Sequence, residues 1–356
     1  MFIKKLRLHE FRNIKNKEFI FDNKINIFYG QNGAGKTSIL EAIYFLSSGK
    51  SFRKGNFKNL INFNANSLTV YLECNNSDEN NTQPHVFAIS KEKSGKWKGQ
   101  KNNNPIKKQS DITHALPVIA IDPEVYRLVD FGPLYRRNFL DWLVFHVKHD
   151  YLILWKKTHK CVKQLNVLYK SKASKEEIYP WEKTFIQYSE QLNEIREGFF
   201  NEIKPKIIQL SLYMQEEITD LNIEYKKGWS EDINLAGQLN KDRIKNLRYG
   251  QLQHGPQKMD IKISVGKHQA SQTLSRGQKK ILSMTFYMAY IDLILNSTNK
   301  TPVLCLDDFD AEIDKEKLFK AAQFFKDKKT QIFITSVQKK KISKVFPDAQ
   351  MFHVKH

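Results

Sequence analysis

The 356-residue chain carries 58 Lys and Arg against 38 Asp and Glu, a formal net charge of +20, with 40% hydrophobic and 27% charged residues. No run approaches the ~20 apolar residues that a membrane-spanning helix needs, and the charges scattered through MFIKKLRLHEFRN argue against a cleavable leader. Cys74, Cys161 and Cys305 are far apart, which excludes a disulfide framework or zinc spacing and predicts a reduced, cytosolic chain.

In chain order, strands are expected at 2–8, 18–21 and 25–29, the third running into a glycine-rich segment, and 38–48 has helix composition. Residues 68–73 and 86–90 read as strands joined by a polar loop, 91–108 as a hairpin with an exposed tip, and 117–121 as a short strand. Helical stretches then follow at 134–170 and 180–218, around a Ser- and Lys-rich turn ending at Pro180, with Pro205 expected to kink the second. Unbroken, either could span roughly 55 Å. Strands return at 260–265, 302–308 and 331–336, with an apolar helix at 279–297. The two ends thus read as halves of one α/β core, 1–132 and 221–356, with a helical lobe, 133–220, inserted between them.

Gly30-Gln31-Asn32-Gly33-Ala34-Gly35-Lys36-Thr37 matches the phosphate-binding loop, G-x-x-x-x-G-K-[ST], in its confirming place after a strand and before a helix. Glycines permit a tight turn whose N–H groups converge on phosphates, and the helix adds its positive end. Lys36 would reach the terminal phosphates, Thr37 would ligate Mg²⁺, and Ser38 completes the binding set at the helix start. The apolar run 303–306 ends in Asp307, a candidate Mg²⁺ ligand, and Asp308, a candidate for activating water. Leu274-Ser275-Arg276-Gly277-Gln278 offers a serine hydroxyl and glycine N–H at a helix start, a second anion site.

That last segment resembles the LSGGQ signature of ABC-type ATPases, in which Ser275 and Gly277 would close over the γ-phosphate held by a second subunit. An interval of 239 residues separates Lys36 from Ser275. It is far longer than in transport-type subunits, far shorter than in chromosome-maintenance ATPases, and similar to the RecF family. LRLHEFRNI near the start, PVIAIDPEVYRLVDFGPLYRRNFLD (117–141), TLSRGQ (273–278) and LDDFDAEID (306–314) resemble that family's segments, so the resemblance covers essentially the whole chain. It implies an ABC-type ATPase head with an inserted helical lobe, binding ATP and Mg²⁺ and hydrolysing ATP slowly as an ATP-dependent homodimer. It also implies binding to duplex, gapped or junction DNA, cooperation with RecR and RecO to load RecA on single strands, a role in the SOS response, and a cytoplasmic, nucleoid-associated place.

By position the resemblance adds Arg12 and Asn13 as nucleotide contacts and Asp314 at the dimer seam. Arg136 and Arg137, at the root of the lobe, are expected to pair with Asp141 and Asp130 rather than touch DNA. The chain departs from the family at Gly255-Pro256-Gln257-Lys258-Met259-Asp260, where GPHR-x-D is usual, and at Ala311, where serine is usual. Thr335-Ser336 ends the last core strand without the histidine of transport ABC proteins, so no switch residue is assigned. The string FHVKH occurs at 145–149 and 352–356, and His146 and His149 of the first copy read as ordinary helix-face residues rather than metal ligands.

The net charge fits a polyanion partner. A high-lysine proteome would give the same balance without one, and a basic membrane-surface protein is the competing class. Among ATPase readings, a transport- or translation-type ABC subunit would need a membrane or ribosomal partner, and the interval opposes it. A binding protein that holds ATP without turnover is the third reading, since two carboxylates at a strand end also hold Mg²⁺.

Overall fold

Both ends of the chain contribute to the sheet that carries the phosphate loop. The structure, a computed structural model, describes residues 1–22, 24–53, 55–75, 84–148, 150–298 and 300–355. Two units emerge, Met1–Val125 with Ile294–His356, and Tyr126–Leu293. The signature segment 274–278 therefore falls in the second unit, together with the helical stretches, whereas the sequence-based boundaries group it with 221–356.

In the first unit a five-stranded parallel sheet runs in the order Gln350–His353, Ile25–Tyr29, Ile332–Ser336, Val303–Leu306, Val118–Ile121. Val303–Leu306 and Ile332–Ser336 are buried at every position, as expected of parallel strands covered on both faces. A six-stranded antiparallel sheet comprises Ile14–Ile20, Phe2–Phe11, Ser67–Asn75, His85–Glu92, Trp97–Lys101 and Asn104–Ile106. Its strand Ser67–Asn75 alternates strictly, turning Leu68, Val70, Leu72 and Cys74 inward. The helix Lys36–Ser48 packs in the core with both sheets, joining Ile39, Ile43 and Phe45 to Leu6, Val70 and Phe87 on one side and to Phe28, Cys305 and Phe333 on the other. Ten of its thirteen residues are buried, six of them apolar, and the buried Lys36, Ser38, Glu41 and Ser47 are the polar exceptions.

The second copy of FHVKH closes this sheet. Phe352 stacks on Phe28 with centroids 5.1 Å apart, and His353 lies parallel to Tyr29 at 4.9 Å. In the first copy His146 is buried edge-on against Trp142, near the end of the helix Pro133–Val147. His149 and His356 lie outside the described residues, as do 76–83 of the expected polar loop.

The second unit corrects the expected helices. The stretch 134–170 is two helices, Pro133–Val147 and Tyr151–Lys170. The next helix begins before Pro180, at Lys175, because Ser174 and Glu177 form a capping box, and it continues through Pro180 and Pro205 to Met214. The pairing of the lobe's arginines is corrected too. Asp141 is taken by Arg196, whose Nε and Nη2 donate to its two oxygens at 2.8 and 2.9 Å. Asp130 is taken by Lys279. Arg136 forks onto Asp260 at 2.6 and 3.1 Å, and Arg137 donates to the Met259 carbonyl at 2.6 Å. Arg196 also donates to the Pro256 carbonyl at 2.8 Å. The turn at Gly255–Asp260 is thus an anchor for three arginines, a role that depends on backbone carbonyls and Asp260 rather than on Gln257 or Lys258.

Candidate nucleotide-binding site

The first unit builds a phosphate-sized cradle where its strands end. Gly30 has φ +153°, and a Cβ there would stand 2.3 Å from the Val354 carbonyl oxygen, so only glycine fits between the loop and the last strand. Gly35, at φ +98°, caps the helix Lys36–Ser48 in the left-handed region beside the Asn13 amide. Lys36 is 5% exposed and its Nζ donates to the carbonyls of Gly30 and Gln31, both at 2.9 Å. These bonds hold the ammonium over the loop, where it can exchange backbone carbonyls for phosphate oxygens.

Around this loop lies a cavity of about 890 Å³, lined by Arg12, Asn13, Asn32, Gly33, Gly35, Lys36, Thr37, Ser38 and Asp308 among others. Gly30, Gln31, Ala34 and Asp307 do not line it. Ala34 is buried beneath the loop, with its N–H 3.3 Å from the Gln31 carbonyl. Asp307 lies one layer deeper and accepts the Thr37 hydroxyl at 2.9 Å. Its pKa is raised: burial is the main cause, and the hydrogen bond from Thr335 works against it. An oxygen pair from a hydroxyl and a carboxylate, set at a phosphate loop, is the donor set that suits Mg²⁺. Glycine loop, lysine and oxygen pair together fit a nucleoside triphosphate with its metal.

Thr335, which the sequence marks only as the end of the last core strand, takes a role here. Its hydroxyl donates to Asp307 at 2.7 Å and accepts the N–H of Asp308 at 2.7 Å. Asp308 has φ +43°, a left-handed conformation uncommon for a residue with a side chain. Arg12 lines the cavity, but its guanidinium forks onto the fully buried Glu41 at 2.9 and 2.6 Å, and Glu41 also accepts the Ser51 hydroxyl. Arg53, Lys58, Asn59, Ile61, Phe63 and Lys93 complete the wall. Phe63 is 92% exposed, an aromatic ring left in water at the rim, and nothing but its apolar character marks it in the sequence.

Ser275 and Gly277 belong to the second unit. Ser275 is exposed at the start of the helix Arg276–Ser297, accepting the Gln278 N–H at 3.3 Å while its own N–H donates to Gln278 Oε1 at 2.9 Å. Lys279 and the Arg276 guanidinium bind back to Asp130 and to the face of Tyr126, which fixes this helix start within its unit. Asp314 caps the helix Lys315–Lys326 by accepting the Lys317 N–H at 2.9 Å.

The RecF/RecN/SMC N terminal domain family matches residues 2–356. A DNA replication and repair protein RecF of Pseudoalteromonas translucida (strain TAC 125) is 34% identical over 362 residues, spanning 100% of this chain and 98% of its own length. The protein of the same name from Francisella tularensis subsp. tularensis (strain WY96-3418) is 33% identical over 343 residues, spanning 96% and 97%. Among solved structures, the recombination mediator protein RecF with ATP, of the RecFOR pathway, matches with a TM-score of 0.84 at 24% identity, over 95% of this chain and 92% of that one. An Smc head bound to the C-winged helix domain of ScpA matches at 0.57 and 17% identity, over 96% and 91%. At such identities the structural likeness is one of fold, the α/β ABC-type ATPase head common to both.

Proposed function

The chain belongs to the RecF family, and on that premise we propose that it is an ATP-dependent DNA-binding protein of replication and repair, working as a dimer joined through nucleotide. The observation that carries this reading is the hydrogen bond of Thr37 to Asp307, at 2.9 Å, behind a cavity that Asp308 lines.

ATP with Mg²⁺, when bound, supplies the reactive phosphorus and neutralises charge on its oxygens. The chain's own groups do the rest. The loop N–H groups of 33–36 bind the phosphates, and Lys36 gives up the Gly30 and Gln31 carbonyls to meet them. Thr37 and Asp307 would hold the Mg²⁺ through the hydroxyl and carboxylate oxygens that they bring together. Asp308 accepts the proton of the attacking water, with its backbone held by Thr335. Arg12 and Asn13 flank the nucleotide, and Phe63 offers its ring to the base. Ser275 and Gly277 of a second copy close the site, which is consistent with the exposure of Ser275 at a helix start.

Hydrolysis is slow in this reading and reopens the dimer. The basic protein binds duplex, gapped or junction DNA and acts with RecR and RecO in loading RecA on single strands, supporting the SOS response. Light scattering after size exclusion tests the central point. ATP is expected to double the mass of the wild type, and Ser275→Arg and Lys36→Ala are each expected to remain at the monomer mass. A mass unmoved by ATP in the wild type would remove the dimer reading.

A further inference from the structure

A second cavity of the first unit, about 550 Å³, is not used by the nucleotide chemistry. It lies at the N-terminal ends of the parallel strands Ile25–Tyr29 and Ile332–Ser336, whereas the phosphate loop follows the C-terminal end of the first. Five residues of strand separate the two ends by on the order of 15 Å. The wall includes Lys24, Lys326, Lys328 and Lys329, with Asp348 as its single carboxylate.

Among the described residues no ion pair takes up Lys24, Lys326 or Lys329. Lys326 Nζ stands 5.3 Å from the centroid of Phe346, and Lys328 Nζ 4.3 Å from that of Phe324. The Phe346 ring positions the Lys326 ammonium without neutralising it. Thr330, between the lysine run and its strand, also lines the cavity. It is 7% exposed, and its hydroxyl oxygen has no hydrogen-bond partner. Buried hydroxyls without partners are uncommon, and lysines gathered beside a single carboxylate repel one another. One phosphate group, accepting from Thr330 after a turn of its side chain and from the lysines, relieves both.

We propose that this cavity is a second phosphate-binding site, independent of the nucleotide loop, whose occupant is the phosphodiester backbone of DNA. The choice of DNA as the source rests on the function proposed above; the phosphate chemistry does not. The test is fluorescence anisotropy with a labelled gapped duplex across a salt series, in protein whose loop is filled by a non-hydrolysable ATP analogue, beside ³¹P NMR of added orthophosphate.

The double variant Lys326→Glu, Lys329→Glu is expected to bind the duplex at least roughly tenfold more weakly and to show a salt slope shallower by about two. Thr330→Val, which changes no charge, is expected to lose roughly three- to tenfold in affinity at an unchanged slope. If duplex binding holds in these variants while the orthophosphate broadening of the wild type is lost, the site stands and its source is free phosphate. If neither duplex affinity nor orthophosphate broadening changes in any variant, the proposal is overturned. A wild type that stayed monomeric with ATP would defeat the dimer reading but leave these slopes readable.

Discussion

Thr335 holds the two carboxylates of the site in one arrangement, and its consequences can be measured. It stabilises ionised Asp307 against burial, which raises that group's pKa, and it anchors Asp308 in a backbone conformation that costs on the order of 1–3 kcal/mol. Thr335→Val removes a hydrogen bond to a charged group, worth roughly 1.5–3 kcal/mol. The Mg²⁺ concentration for half-maximal phosphate release is therefore expected to rise about tenfold or more, with metal-free ATP binding retained and Thr335→Ser near wild type. Asp308→Asn is expected to bind ATP and stay dimeric with turnover lost. Normal turnover in that variant would take the water-activating role from Asp308. The loop residues were legible because their chemistry is packed into eight consecutive positions. Thr335 was not, because its place beside Asp307 follows from the register of Leu306 with Ile334, a pairing between separate strands.

At the scale of elements, the helix Lys175–Met214 depends on a charge in its interior. Arg196 is 1% exposed and satisfies Asp141, the Pro256 carbonyl and the Tyr151 hydroxyl at once. Arg196→Ala leaves Asp141 without its cation, with only the Tyr151 hydroxyl and the Trp155 indole still donating to it, and is expected to cost roughly 3 kcal/mol, read as a lower denaturant midpoint. Arg196→Lys is expected to recover little, since a single ammonium cannot replace the forked contact. A midpoint unchanged in Arg196→Ala would show the pair to be incidental. The sequence signalled the apolar and alternating segments well, because burial dictates composition. The start of this helix lies earlier than Pro180 suggests, because the capping box of Ser174 and Glu177 starts it at Lys175. Which carboxylate each arginine takes could not be read at all. Asp260 and Arg136 are neighbours only through folding, and Asp141, close in sequence to both Arg136 and Arg137, belongs to neither.

For the whole molecule, a net +20 would make the proposed binding to DNA a matter of counterion release. Affinity for a gapped duplex is expected to fall by on the order of a thousandfold between 50 and 200 mM salt if about six phosphates are contacted. A flat response over that range would remove the phosphate-contact reading. The α/β architecture with its helical insertion was legible because strands cluster at both ends of the chain and long helical patterns lie between. The membership of 274–278 in the second unit was not, since it depends on contacts such as Lys279 with Asp130.

The strand Ile25–Tyr29 has both its neighbours, Ile332–Ser336 and Gln350–His353, near the far end of the polypeptide. At translation rates of ~5–20 residues per second, a newly made strand waits roughly 15–60 s with two bare edges and an apolar face before either partner leaves the ribosome. An unpaired strand of that kind invites aggregation. Ribosome-bound chains halted before residue 330 are therefore expected to crosslink to holding chaperones through 25–29, and chains extended past the last strand to lose that crosslink. Equal crosslinking at both lengths would mean that the edges are shielded earlier, by other parts of the nascent polypeptide.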